Sequence, residues 1–542
     1  MMEYVSFMDI FKVCIGPSSS HTLGPWLAAK HFMETLISKF DNNQDQANYP
    51  YQIDVKLLGS LAKTGVGHQT ALGISLGLIQ EDPGTIAAKS IQPKIAKLKE
   101  SSAILFKNNQ CLKFHPQMSI EFNFKEQTPV HPNTLVLMAK NKDGKIVHQQ
   151  EYYSIGGGEV LLAEPVIEQS QPSTDITHSK TNSPTQLSGD QQNNITIDPK
   201  SRLNQLQSIR AGNQKKRSFP YPITHGSQLI QHTKQLKCSI SEVVLINEKS
   251  WLSEHEITEE IAKIAWTMVE CIQYGLFSKE ITLPGGLGVR RRASNMAKQL
   301  LATEPESVKK AIEDLFATGA EVDPRTFLKA MRQLTLPEQK NTNRWLSAFA
   351  LAVNEQNAAF GRVVTAPTNG AAGVIPAVFM YYLCFENKNA GELEIQKFFL
   401  CASEVASLFK KGATLSAAMG GCQAEIGVSS AMAAAALTEL SGGTAAQSLA
   451  AAEIAMEHHL GLTCDPISGL VQVPCIERNA MGAAKAITAS HLALMSDPSQ
   501  LIVNIDDIIK TMWQTALDMK NSYKETSEAG LAKNVSVALS EC

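Results

Sequence analysis

The chain has 542 residues, well beyond the roughly 100–200 of one ordinary domain, so two or more units are expected. With 44% apolar residues, 19% charged residues and a formal charge of −3, the composition supports sizeable cores and excludes a disordered chain. It also lacks the basic excess that nucleic acid or an anionic membrane would select.

Lys and Arg cluster only at Lys215-Lys216-Arg217 and Arg290-Arg291-Arg292. No run of about 18 apolar residues is present to cross a membrane. The opening Met-Met-Glu-Tyr-Val has no basic start of a secretory signal, so the reading is a cytosolic protein. The ten cysteines are too sparse for a disulfide scaffold. In a reducing compartment most are expected to be buried free thiols and a few to be metal ligands.

In chain order, residues 1–167 mix helix and strand signals. Pro25–Ser38 and Thr70–Leu78 are predicted helices, and Ile53–Leu58 a strand. Met118–Phe124 alternates with period two and Thr134–Met138 is β-branched and apolar. Ile146–Tyr153 returns after an Asp143-Gly144 turn. Residues 168–222 are dominated by Gln, Ser, Thr, Asn and Pro, as in Gln169-Ser170-Gln171-Pro172, and cannot bury enough surface to offset their ordering entropy. A disordered linker or insert is predicted there. From 223 to 542 the pattern is helical. Glu259–Tyr274 lines Ile261, Ile264, Ala265, Met268, Val269 and Ile272 along one face, and helices are predicted over 396–412, 426–440, 444–460, 475–495 and 501–519. The expected fold is α+β: a small N-terminal α/β domain followed by a large all-α domain, with no internal repeat.

Two clusters in the first domain carry polar chemistry. Gly16-Pro17-Ser18-Ser19-Ser20-His21-Thr22-Leu23-Gly24-Pro25 sets four hydroxyls and an imidazole ahead of a helix; it reads as a capped helix start or an anion site. Thr64-Gly65-Val66-Gly67-His68 follows a strand and offers a close backbone approach with a possible base in His68, or a plain turn. It is no phosphate loop, because Gly-Lys-Ser/Thr does not follow. His131-Pro132-Asn133 and Ser154-Ile155-Gly156-Gly157-Gly158 are further polar breaks.

In the helical region, Cys422, Cys464 and Cys475 all stand at Gly- or Pro-marked element ends, where a thiolate can leave the core. Cys271, Cys384 and Cys401 sit inside apolar runs and read as packing. Three thiolates can hold three irons of a [4Fe–4S] cluster and leave the fourth open as a Lewis acid. Zinc on three cysteines and buried structural thiols are the competing readings.

The stretches Gly-Pro-Ser-Ser-Ser-His-Thr-x-Gly-Pro, Gly-Ser-Leu-x-x-Thr-Gly-x-Gly-His, His-Pro-Asn, Ser-Ile-Gly-Gly-Gly, Ala-Pro-Thr-Asn-Gly-Ala-Ala-Gly and Cys-Asp-Pro-Ile-x-Gly-Leu-Val-Gln-Val-Pro-Cys-Ile-Glu-Arg-Asn together resemble the bacterial iron–sulfur L-serine dehydratases (L-serine ammonia-lyases), in the form with both domains fused. The resemblance spans the chain except about 168–220, where the family has a short connection. It implies a [4Fe–4S] cluster on Cys422, Cys464 and Cys475, with L-serine as substrate and His68 as the base that removes the α-proton. Ser18, Ser19, Ser20, His21, Thr64, Gly65, His131, Asn133 and Ser154 would line the substrate side. Asn369 would approach from the helical domain, and Arg478 would clamp a carboxylate. The C-terminal Cys542 would fold back onto the open iron. The first domain is similar to the regulatory-type domain of some phosphoglycerate dehydrogenases, and family members are typically homodimers. A non-enzymatic amino-acid sensor built on the same domains is the alternative from a different class.

Overall fold

The computed structural model describes residues 4–41, 48–107, 110–126, 128, 130–163, 203, 206–209, 219–317, 321–335 and 339–535. Most of the predicted 168–222 insert and Cys542 lie outside these residues.

The first region is a mixed sheet with helices against it. Its strands are β1 (Val13–Ile15), β2 (Gln52–Leu58), β3 (Ala103–Leu105), β4 (Cys111–Lys113), β5 (Ile120–Phe122), β6 (Asn133–Lys140), β7 (Ile146–Gly156) and β8 (Glu159–Leu162). All but β1 form one sheet in the order β3-β4-β2-β6-β7-β8, with β5 parallel beside β2. Strand β2 covers the strand predicted over Ile53–Leu58, burying Ile53, Val55 and Leu57 against helix Gly24–Lys39, whose Phe32, Met33 and Leu36 share that core. The β6–β7 hairpin closes at Gly144, where φ of 79° needs a residue without a side chain. The stretch predicted as a strand over Met118–Phe124 shrinks to β5, because the following Phe124 is 64% exposed and Met118 85% exposed, beyond the sheet's reach.

The second region is a helical bundle. Helices Glu254–Leu276 and Ala445–Glu457 begin with reciprocal capping boxes, Ser253 with Glu256 and Thr444 with Gln447. Helix Ile426–Leu440 is buried on every side from Ile426 to Thr438. Its Ala431–Ala436 run lets helices Glu392–Gly412, Ala445–Glu457 and Cys475–Leu494 pack closely around it.

One feature of the bundle departs from the all-helical reading. Strand β9 (Arg362–Val364) pairs antiparallel with β1, in the register Val13↔Val364, Cys14↔Val363 and Ile15↔Arg362. Residues before β1 also join the bundle: Phe7, Ile10 and Phe11 lie in its core, as does Cys14 of β1, and the Glu248 carboxylate accepts from Tyr4 Oη, Ser6 Oγ and Phe7 N at 3.0–3.1 Å. The chain therefore starts in the helical region, crosses to the sheet region and returns, which places the loop after β1 against the bundle.

Candidate active site

That loop is the first functional segment. Gly16 packs against the bundle so closely that a Cβ would stand 2.1 Å from Asn357 O, and Asn357 Nδ2 donates to Pro17 O at 2.8 Å. Ser18 Oγ then accepts from His21 N at 3.1 Å, so the predicted cap is real. The turn Ser19–Leu23 is widened, with Leu23 N reaching Ser18 O and Gly24 N reaching Ser19 O, a form of local irregularity common at functional sites. The widening points His21 inward, with no exposed surface.

His21 and His68 lie with ring centroids 4.5 Å apart and their planes tilted by 37°. His68 is set by the short helix Gly59–Thr64: its Nδ1 lies 3.1 Å from Thr64 O, while Thr22 Oγ1 donates to His68 O at 2.7 Å. A carbonyl only accepts, so Nδ1 carries the hydrogen and Nε2 presents a lone pair. Burial lowers the His68 pKa to about 4, opposed by the bond to Thr64. Burial and then the neighbouring His68 hold His21 well below the ordinary value. Both rings are neutral at pH 7.

The other polar breaks meet here. Ser20 Oγ lies 2.9 Å from His21 Nδ1, and Ser154 Oγ donates to Ser20 O at 2.6 Å. Asn133 Nδ2 donates to Ser154 O, and Asn133 N donates to His131 Nδ1 at 3.0 Å. His131 is fully buried and lowered to about 3 by that burial; its Nε2 and Asn133 Oδ1 have no partner among the described residues. Gly65 shapes the turn, since a Cβ would stand 2.1 Å from Leu61 O.

The thiol side comes from the bundle. Cys422 and Cys464, with the carboxylate of Glu425, bring ligating atoms within 4.8 Å of one another, and Ala371, Ala417 and Ile426 wall the thiols. A bond from Cys464 lowers the Cys422 thiol, assisted by the Arg478 charge and opposed by burial; the same bond raises Cys464. Cys475 begins helix Cys475–Leu494, and burial followed by the charge of Cys422 raises its thiol. One turn on, Arg478 Nη1 donates to Cys422 Sγ at 3.2 Å and Thr463 O at 2.6 Å, and Nη2 to Asp465 Oδ1 at 3.1 Å. Cys271, Cys384 and Cys401 are buried elsewhere in the core with raised thiols, as packing requires.

The two sides touch. A Cβ on Gly67 would stand 2.7 Å from both Ser468 O and Gly469 O, in the loop between Cys464 and Cys475. The segment after helix Ile505–Asp518 seals the seam: Cys464 N donates to Tyr523 O at 2.8 Å and Glu525 N to Cys464 O at 2.9 Å. Ser60 Oγ donates to Glu525 O at 2.7 Å. Glu525, only 4% exposed, places Oε1 3.5 Å from His21 Nδ1 and 3.8 Å from His68 Nε2. Burial, then the charges of Glu425 and Cys422, push its carboxyl well up.

Ser18, Ser20, His21, Thr64, Gly65, His68, His131, Asn133 and Ser154 thus fall in one continuous network, and Ser19 holds the turn through its backbone. Arg478 stands beside the thiols, but its guanidinium is engaged by Cys422, Thr463 and Asp465. Asn369 turns its amide to Asn357 and Cys14 instead; its neighbours Thr368 and Gly370 are the ones that touch Glu425. Sequence reasoning missed Ser60, Glu425 and Glu525. Ser60 lies inside the Gly-Ser-Leu motif and was legible there; the two glutamates carry no local signal.

A sheet-bearing region and a helical bundle that share one buried site define a two-part protein with its halves fused in one chain. Residues 6–165 match the serine dehydratase beta chain family and residues 235–532 the serine dehydratase alpha chain family. The chain is 37% identical over 531 residues to an L-serine dehydratase of Streptomyces coelicolor, covering 98% of this chain and 99% of the relative. It is 36% identical over 532 residues to L-serine dehydratase 1 of Escherichia coli, covering 98% and 99%. To an L-serine dehydratase of Helicobacter pylori it is 34% identical over 534 residues, covering 98% and 100%. The chain belongs to the serine dehydratase family.

Proposed function

We propose that this chain is an iron–sulfur L-serine dehydratase. It eliminates water from L-serine to give aminoacrylate, which tautomerises and hydrolyses to pyruvate and ammonia. The observation that carries the reading is the meeting, in one buried region, of Cys422, Cys464 and Glu425 with neutral imidazoles from the sheet region, with the buried Cys475 near enough to feel the Cys422 charge.

The donor set suits a [4Fe–4S] cluster. Soft thiolates are its ordinary ligands. Cys422 yields its proton readily, Arg478 offsets the anionic charge, and small apolar side chains wall the thiols. Cys422, Cys464 and Cys475 would hold three irons, and Cys542 would cover the fourth. When bound, the cluster supplies a Lewis acid that eases departure of hydroxide.

The chain's own groups do the rest. His68 Nε2 takes the α-proton, with Thr64 O fixing the ring through Nδ1–H. The His131 Nε2–H, without a partner among the described residues, is a donor for a substrate oxygen. Ser20, Asn133 and Ser154 hold His21 and His131 in place. We read the enzyme as a cytosolic homodimer, in keeping with the family resemblance; no helix among the described residues is long and apolar enough to cross a membrane.

Anaerobic purification with an absorption spectrum, iron and sulfide counts and pyruvate release from L-serine tests this. About four irons per chain with pyruvate formed is the expected result. Zinc or no metal, with serine bound unchanged, would move the chain to the sensor reading and leave the thiols structural.

A further inference from the structure

Glu525 is the least explained group in the site. It lies outside every motif of the sequence reading, on a segment where φ of 55° puts a glutamate in the left-handed region. Such backbone strain persists only where surrounding contacts hold it, and it collects at functional sites. Here Cys464 O and Ser60 Oγ hold the backbone from the two regions. The side chain is driven between His21, His68 and the thiols.

The hydrogen bookkeeping around the carboxylate is informative. The Ser60 hydroxyl gives its one hydrogen to Glu525 O, so at 3.0 Å it must accept from His21 Nε2–H. His21 Nδ1 is therefore a lone pair, already fed by Ser20 Oγ at 2.9 Å. His68 Nε2 is a lone pair as well, because its Nδ1–H faces Thr64 O. Both nitrogens facing Glu525 Oε1 are acceptors, and Oε2 is buried with no partner among the described residues. Ligating atoms of His21, His68 and Glu525 crowd within 4.8 Å of one another; with Glu525 ionised none of them is a donor, and burial beside other anionic groups pushes its carboxyl up toward taking a proton. Buried acceptors left without donors are costly, so the space calls for a small cationic donor.

We propose that Glu525 is the receptor for the substrate's ammonium group and so sets the specificity for an amino acid over a hydroxy acid. The inference rests on the functional reading above. An α-ammonium carries three N–H donors and one positive charge, which meets the geometry and offsets the anionic surroundings. Seated on Glu525, it leaves the adjacent Cα–H toward His68 Nε2, the remaining open lone pair. The carboxylate and hydroxymethyl groups are then free to face the thiol side.

The test compares L-serine with 3-hydroxypropionate, which keeps the carboxylate and hydroxyl and lacks only the ammonium, on the iron-loaded enzyme. Calorimetric binding of L-alanine against propionate repeats the comparison without turnover. A charge-assisted bond to a buried carboxylate predicts that wild type disfavours the ammonium-free member of each pair by about tenfold to a hundredfold. Glu525→Gln should raise the serine KM by a similar factor. It should shift 3-hydroxypropionate inhibition by less than about threefold, with iron and sulfide content unchanged; Glu525→Asp should recover part of the loss. Equal weakening of both ligands in Glu525→Gln would make the residue merely structural and overturn the proposal. So would a second metal ion per chain that disappears in Glu525→Gln, since the acceptors would then be a cation site. If neither variant takes up iron, the wild-type pairs alone decide: equal binding with and without the ammonium refutes the assignment. A wild-type enzyme without iron or pyruvate formation would instead refute the functional reading.

Discussion

Replacing Arg478 by leucine removes a guanidinium that braces the thiol side. Its side chain is 17% exposed and its partner Asp465 5%, so the pair is largely screened from water. The second Asp465 oxygen takes Leu531 N at 2.7 Å, and Arg478 also ties down Thr463 O and Cys422 Sγ. Truncating one member of such a pair leaves the other charge buried and unpaired, a cost of about 3–5 kcal/mol. Against a total stability on the order of 5–15 kcal/mol this is a large share. Cys422 also loses the donor that favours its thiolate, so iron retention should fall with stability. Arg478→Lys keeps the charge but not the fork to Thr463, Cys422 and Asp465 together, and should cost about 1–2 kcal/mol. The assay is urea unfolding of the metal-free chain beside iron and sulfide content after anaerobic reconstitution. A leucine variant with the wild-type unfolding midpoint and full iron content would refute the reasoning, because the pair would then contribute nothing.

The remaining predictions probe the seam and the imidazoles. Gly67→Ala drives a Cβ to 2.7 Å from two carbonyl oxygens of the Ser468-Gly469 turn; overpacking of this kind should cost about 1–3 kcal/mol and reduce turnover, checked by unfolding and pyruvate release. His68→Ala should keep the iron content while turnover falls by about 10²–10⁴, and near-normal turnover would remove His68 as the base. His131 has a folded pKa lowered to about 3, against about 6.5 unfolded. The unfolded chain therefore binds the proton first, and stability that is full above pH ~6.5 is lost as pH falls toward 3, at about 1.4 kcal/mol per unit. Unfolding of His131→Gln followed from neutral to acid pH should show a shallower decline than wild type, and identical slopes would contradict the burial argument.

Much of the fold is legible along the chain because its causes are local. Helix Thr70–Leu78 and helix Ile426–Leu440 fall on their predicted spans, and β2 covers the strand read from Ile53 to Leu58. Gly144, Gly16 and Gly65 mark places where a side chain has no room or the backbone is left-handed. The histidine-bearing motifs are legible for the same reason: each is a short loop whose hydroxyls and glycines organise themselves, as Ser18 does for His21 N and Thr64 O for His68.

What a chain position looks like and what it meets are different questions. Local spacing marked Cys422, Cys464 and Cys475 as thiols at element ends and marked His21, His68, His131 and Ser154 as polar breaks. Only the tertiary structure brings these groups to one buried site, through the β1–β9 pairing and the contact of Gly67 with the Ser468-Gly469 turn. Asn369 turned its amide to Asn357 for the same reason: a side chain's partner is chosen by what packs against it. Glu525 is the clearest case. It meets Ser60 across 465 positions of sequence, and its role depends on two imidazole lone pairs that no local pattern encodes. Periodicity, caps and turns act within a few residues and are written in the sequence; the electrostatic and hydrogen-bonding surroundings of a buried group are made by segments hundreds of residues apart, and only folding decides them.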